Sequence, residues 1–197
     1  MKSIHLSLAI LILAVTGCNK NDDSVSKGTG TNSDFDQLYM NYASSSAYKD
    51  ERKMDAEVHA YTFQVSRAHT IYQIGYQSEP AISTTPYLME IYDSTSARLL
   101  YSGAHTFSPT ATSYVSIAPV AVMPGHKYIV RRIQTNWGSI LSNAIGRILD
   151  YKTPSRAAAR SIFPTTVGDL TVSGSIFYGK AGPIYELGLP YIDLKYN

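Results

Sequence analysis

Carboxylates, histidines and a single tryptophan are the side chains from which chemistry could be built in this 197-residue chain. Glu90 and Asp93 come nearest to a carboxylate pair for glycoside hydrolysis, which needs separations of roughly 5 to 9.5 Å. Three residues apart on an extended strand, they point to opposite sides. Ser173-Gly174-Ser175 lacks the spacing of a Gly-x-Ser-x-Gly nucleophile elbow, and no His-Glu-x-x-His run occurs. His59, His69, His105 and His126 are scattered, whereas a zinc site usually draws two ligands from positions a few residues apart. With no constellation of enzyme geometry, the expectation is a protein that is not an enzyme. Calcium is the one cofactor the sequence raises: Asp50, Asp55, Glu57 and Asp193 could staple first and last strands through an ion that wants six to eight oxygens. Solvated surface carboxylates explain the same residues more simply. Gln134, Asn136 and Trp137 form the remaining candidate. In the polar run Gln134-Thr135-Asn136-Trp137-Gly138-Ser139 an indole flanked by amides and hydroxyls could stack on a sugar ring, although a tryptophan tucked against the end of the fold is the commoner case.

Cys18 carries a different chemistry. It is the only cysteine, so it belongs to no internal disulfide and no multi-cysteine metal site. Lys2 supplies a positive start, Leu6 to Val15 an apolar core, and Thr16-Gly17 a small-residue site before the thiol. The apolar stretch is shorter than the ~20 residues that span a bilayer as a helix. Leu13-Ala14-Val15-Thr16-Gly17-Cys18 resembles the signal of bacterial lipoproteins, which implies cleavage before Cys18, acylation of its sulfur (palmitate-type chains) and a membrane anchor. One acyl chain binds only marginally, so stable attachment needs more than one. The resemblance places the protein at the outer membrane and the cell surface. Residues 1–17 are then a signal peptide. Asn19 to Ser33 holds one apolar residue, Val25, and cannot bury enough surface to fold. Residues 18–33 are therefore a flexible tether, with ends roughly 20 Å apart as a coil.

Residues 34–197 have the length of a single domain with a sizeable core. The formal charge is +2, and +1 once Lys2, the one charge in residues 1–17, is removed. No basic cluster exceeds Arg131-Arg132, which argues against nucleic acid as a partner. The apolar period is close to two almost throughout, as in strands. Tyr61, Phe63 and Val65 alternate with Thr62 and Gln64; Tyr72, Ile74 and Tyr76 follow, then Tyr87, Met89 and Ile91. Further strands are expected over 98–102, 114–117, 127–133, 145–149, 170–178 and 191–196. Gln77-Ser78-Glu79-Pro80, Asp93-Ser94-Thr95, Ser108-Pro109, Met123-Pro124-Gly125 and Lys180-Ala181-Gly182-Pro183 punctuate them as turns. Such a series predicts an all-β, antiparallel, jelly-roll-like sandwich of about eight or nine strands. Phe35, Leu38, Tyr39 and Tyr42, at i, i+3, i+4 and i+7, predict one short helix at its entrance, with Asp34 and Gln37 as a capping pair. Arg156 to Arg160 is a second, shorter helical stretch.

Tyr61-Thr62-Phe63-Gln64-Val65, Thr70-Ile71-Tyr72-Gln73-Ile74-Gly75-Tyr76 and Met89-Glu90-Ile91-Tyr92-Asp93 with Leu99-Leu100 resemble strands of a bacterial extracellular family, domain of unknown function 4082. Ile117-Ala118-Pro119-Val120, Pro124 to Val130 and Tyr191-Ile192-Asp193-Leu194 resemble its later strands, so the likeness covers most of 61–196. It implies a jelly-roll β-sandwich in secreted, often carbohydrate-associated proteins, and it carries over no catalytic residue. His69, where that family favours glycine, and the stretch from Thr135 to Ala159 depart from it. Tyrosine is the compositional oddity, 16 residues against one tryptophan and five phenylalanines. Its apolar face and polar tip suit half-buried sheet positions and also binding faces. Two functions are therefore expected of a lipid-anchored, non-enzymatic surface protein: glycan binding in polysaccharide capture, or a protein-interaction role as adhesin or subunit of a surface complex. The first asks for exposed planar aromatics around Trp137; the second asks for an exposed apolar patch or an unpaired strand edge.

Overall fold

The computed structural model describes residues 32–52, 56–138, 146–152, 162–179 and 181–197. A helix, α1 (Asp34–Ala43), precedes strands β1 (Tyr48–Arg52), β2 (Val58–Val65), β3 (His69–Tyr76), β4 (Tyr87–Asp93), β5 (Arg98–His105), β6 (Ser113–Val122) and β7 (Tyr128–Gln134). After them come β8 (Arg147–Tyr151), β9 (Thr165–Val167), β10 (Leu170–Gly179), β11 (Gly182–Tyr185), β12 (Gly188–Pro190) and β13 (Asp193–Tyr196). The fold is the all-β antiparallel sandwich that the alternation predicts. All nine expected strands are present; β1, β9, β11 and β12 are additional. Those four are short and carry Lys49-Asp50-Glu51, paired threonines, or glycine and proline, so they lack the apolar period that marks a strand. The stretch 156–160 lies outside the described residues.

The strands form three sheets, ordered β11-β10-β2-β7-β4-β5 with β9 also on β10, β1-β8-β12, and β13-β3-β6. In the large sheet β7 lies between β2 and β4, and its residues alternate. Tyr128, Val130, Arg132 and Gln134 are buried, while Ile129, Arg131 and Ile133 are half-buried on the other face. Pairing aligns His59, Arg132 and Met89 in one inward row and Tyr61, Val130 and Ile91 in the next. One core draws on all three sheets: Phe63, Met89 and Val130 from the large one, Leu149 and Leu189 from the second, Ile74 and Leu194 from the third.

Residues 34–52 pack on the sandwich. Phe35, Leu38 and Tyr39 of α1 are fully buried, and Phe35 stacks on Tyr61 with centroids 4.8 Å apart. The helix cap lies one residue earlier than the capping pair expected of Asp34 and Gln37. Ser33 Oγ accepts the N–H of Asp36 at 2.9 Å, and the Gln37 side chain donates to the Asn32 carbonyl. Asp34 instead accepts the Tyr196 hydroxyl at 2.7 Å and the N–H of Asp169 at 2.9 Å, which ties the helix to the last strand. Tyr191 donates to Asp36 at 2.7 Å and Tyr39 to Asp50 at 2.9 Å.

The buried Phe35 ring should make α1 part of the cooperative unit. Phe35→Ala is expected to cost about 3–5 kcal/mol, the range for deleting a fully buried aromatic, seen as a lower urea midpoint. Tyr185→Ala, at a residue 63% exposed, should shift the same midpoint by no more than about 0.5 kcal/mol. Equal and small effects would show that the helix is not part of that unit.

Candidate functional site

The structure separates most of the residues in which chemistry was sought. Cys18 and Asp55 lie outside the described residues. Asp50 is held by the Arg147 guanidinium, which takes both carboxylate oxygens from Nε at 2.9 Å, and by the Tyr39 hydroxyl. Glu57 is exposed. Asp193, fully buried, accepts from Ser33 Oγ and from the Tyr114 hydroxyl at 2.5 Å. These calcium candidates are committed to other partners or stand apart, and among the described residues no three acidic, histidine or cysteine groups gather as metal ligands. Burial raises the Asp193 carboxyl, and the Ser33 and Tyr114 hydrogen bonds and nearby Lys195 only partly offset it.

The histidines are likewise dispersed. His59 packs edge-on against Phe177, His69 bonds the Asn197 carbonyl at 2.9 Å and Asp169 at 3.2 Å, His105 meets the Tyr101 hydroxyl at 2.5 Å, and His126 meets Asp93 at 2.8 Å. Glu90 faces outward and pairs with Arg131 Nε, while Asp93 lies on the inward set of β4.

Two places in the fold have the character of binding surfaces. The first is the end of the sandwich where β3 and β7 finish and β2, β4 and β8 begin. Trp137 sits there, in the turn that follows β7, its backbone N–H donating to the Gln134 carbonyl at 3.2 Å. Trp137 and Asn136 are half-buried, but Gln134 is 1% exposed because it takes an inward position two residues beyond Arg132. The three residues proposed as one sugar platform are thus split between surface and interior. Parity along β7 carried that signal: Gln134 continues the series 128, 130, 132.

Arg132 is the functional candidate that the sequence did not single out. Its guanidinium is fully buried against the rings of Tyr76 and Tyr87, 5.7 and 5.3 Å from their centroids. Nη1 donates to the carbonyls of Ala56 and Glu57, each at 3.4 Å. None of the ion pairs among the described residues includes it. Two cation–π contacts contribute up to about 2 kcal/mol each when desolvated, against several kcal/mol for burying an ion. Burial pushes the Tyr76 hydroxyl up to about 12, with the Arg132 charge working against that rise. Glu79 borders the same end; burial raises its carboxyl, and Arg52 partly counters this.

The second place is the outward face of the large sheet. Register sets Pro183, Tyr178, Val58, Ile133, Leu88 and Ala104 in one row across six strands. All are exposed or half-buried. Tyr185 and Ile176 begin the next row, which continues through Ala60 to the Arg131–Glu90 ion pair. β11 ends the sheet, pairing only with β10 and carrying exposed Ile184 and Tyr185.

The turn between β4 and β5, which also bonds Lys127 at the start of β7, closes on Asp93. Partial desolvation raises its carboxyl, but hydrogen bonds from the Ser96 hydroxyl and His126, and from the N–H groups of Ser96 and Thr95, win and hold it at about 2, below the usual 3.8. A lowered carboxyl contributes stability above its unfolded value and loses it as pH falls through the folded one. The stability difference between the wild type and Asp93→Asn should therefore be constant above about pH 5 and shrink between pH 3.8 and about 2. Chemical denaturation across pH 2–7 measures it, and a difference that does not change with pH would exclude the carboxylate as the source.

No family model, curated protein or solved structure matches the chain, so its function has to be argued from these two surfaces.

Proposed function

We propose that this chain is a lipid-anchored, non-enzymatic protein of the outer membrane and cell surface that docks a protein partner on the outward face of its large sheet. The observation that carries this is the apolar row from Pro183 and Tyr178 through Val58, Ile133 and Leu88, beside exposed Tyr185. Solvent-facing positions of an antiparallel sheet are ordinarily polar, and a contiguous apolar face marks an interaction surface. The Arg131–Glu90 pair in its midst gives a partner a polar landmark, and the unpaired edge of β11 offers backbone groups for an added strand. The signal-like run ending at Cys18 supplies the anchor. Among the described residues no helix is long and apolar enough to cross a membrane, so attachment would rest on that lipid.

Glycan binding has its own support at the end of the sandwich, where half-exposed Trp137 lies on a polar turn. The likeness to the carbohydrate-associated family points the same way, though it contributes no site residue.

Photo-crosslinking separates the two. With the full chain in membranes of the producing bacterium, a photoreactive aromatic at Tyr178, Tyr185 or Leu88 should give a discrete protein adduct. The same group at Tyr72, an exposed residue of β3 in another sheet, should give none. Tyr178→Ala with Tyr185→Ala should weaken the captured complex by roughly 30-fold or more, the effect of losing about 2 kcal/mol of hot-spot contact. Adducts independent of position would overturn the docking face. Polysaccharide retention that disappears in Trp137→Ala would transfer the function to the glycan site.

A further inference from the structure

The donors left over around Arg132 form a recognisable set. Nε and Nη2, which lie along one edge of the guanidinium, meet no acceptor among the described residues. Gln134, two positions along β7 on the same inward face, is 1% exposed, and neither atom of its amide group has a partner among the described residues. The Tyr76 hydroxyl, from the end of β3, is fully buried beside the Arg132 guanidinium, and its O–H meets no acceptor among the described residues. Gly146 holds this end closed: its φ is +98°, and a Cβ added there would lie 2.8 Å from the Tyr76 hydroxyl and 2.9 Å from His59 Cε1. Two strands, β7 and β3, thus deliver guanidinium N–H groups, an amide and a phenol to one buried region, with a fixed positive charge that no carboxylate among the described residues pairs with.

The Nε and Nη2 edge is a planar fork whose spacing suits the two oxygens of a carboxylate, taken as parallel charge-assisted hydrogen bonds. Gln134 Nε2 and the Tyr76 hydroxyl add neutral donors of the kind that fix orientation, and the mutually perpendicular Tyr76 and Tyr87 rings packed against the guanidinium hold that planar fork in place. We propose that this region is a binding site for a single carboxylate group, received by Arg132 and oriented by Gln134 and Tyr76. Because the donors are buried, the group is small and its exchange with solvent is slow. The carboxylate can belong to a free organic acid or to an acidic sugar; the recognition chemistry is the same. The site faces the interior, so it is independent of the docking face on the other side of the sheet.

The test is a titration of the full chain in detergent with sodium acetate and, separately, sodium glucuronate, at constant ionic strength held by sodium chloride. The thermal midpoint is read after long equilibration. A ligand that binds only the folded state raises that midpoint saturably. The expected result is a saturable rise with at least one of the two acids over the chloride control. It should be abolished in Arg132→Met and shifted to at least tenfold higher concentration in Gln134→Leu. Saturation at lower concentration by acetate assigns a free acid, and by glucuronate an acidic sugar. No rise with either acid in the wild type overturns the site, whether or not the variants fold. A rise unchanged in both variants places the binding elsewhere and overturns it equally.

Discussion

Hydrogen bonds from tyrosine hydroxyls to aspartate carboxylates are the interaction on which the rest of this structure depends. A phenol brings a large apolar ring into a core but carries a hydroxyl that costs free energy when buried without a partner. Here Tyr196, Tyr191, Tyr39 and Tyr114 each end on a carboxylate: Asp34, Asp36, Asp50 and Asp193. Bonds to a charged acceptor contribute about 1.5–3 kcal/mol each. Two of these bonds, Tyr196 to Asp34 and Tyr191 to Asp36, close the final segment onto α1, while Tyr39 to Asp50 ties α1 to β1 and Tyr114 to Asp193 ties β6 to β13. Burial, with the neighbouring carboxylates, lifts all four hydroxyls far above their usual range, which keeps them neutral donors under any ordinary condition. The abundance of tyrosine is explained first by this joinery and only second by the exposed Tyr178 and Tyr185.

Arg147 shows the same economy extended to a cation. It binds Asp50 through Nε at 2.9 Å to both oxygens and covers the rings of Tyr39 and Tyr191, 5.2 and 4.3 Å from their centroids. Arg132 has two tyrosine rings as well, but carbonyls at 3.4 Å in place of a carboxylate. The comparison within one protein isolates what differs. A pair of tyrosine rings is common to both, and among the described residues a carboxylate meets only Arg147.

Much of this was legible as period. An apolar residue at every second position predicts a strand whatever its neighbours are, and the nine strands marked that way are all present. β1 was opaque because Lys49, Asp50 and Glu51 pair along an edge, where only Tyr48 is buried. β11 was opaque because glycine and proline read as a turn, which they also make before Ile184 and Tyr185 extend it. The site was harder. Gln134, Asn136 and Trp137 are neighbours in a polar run, and composition groups them; parity along β7 divides them, sending the amide inward and leaving the indole in the turn. The outward apolar row could not be read at all. It is assembled from one residue on each of six strands, and only the pairing register aligns Tyr178 with Val58 and Ile133 with Leu88.

Register also decides the fate of two adjacent arginines. Arg131 and Arg132 are one step apart on β7, so one must face out and the other in. Arg131 finds Glu90 directly across the pairing, on the outward face; Arg132 faces the interior opposite Met89 and His59. Sliding β7 by a single residue would exchange them and send Ile129 and Ile133 inward with Arg131. What prevents the slide is the junction at the other end of the strand. The Ser94 N–H and hydroxyl both donate to the Lys127 carbonyl, at 2.8 and 2.9 Å, and the Lys127 N–H donates back to Thr95 Oγ1 at 2.8 Å. His126 and Asp93 close the same junction. Four polar contacts pin β7 to β4 at Tyr128, and from there the count of residues alone carries position 132 into the interior. The buried guanidinium is therefore a consequence of a junction some distance along the strand, and a site built around it inherits its geometry from the turn between β4 and β5 that holds Lys127.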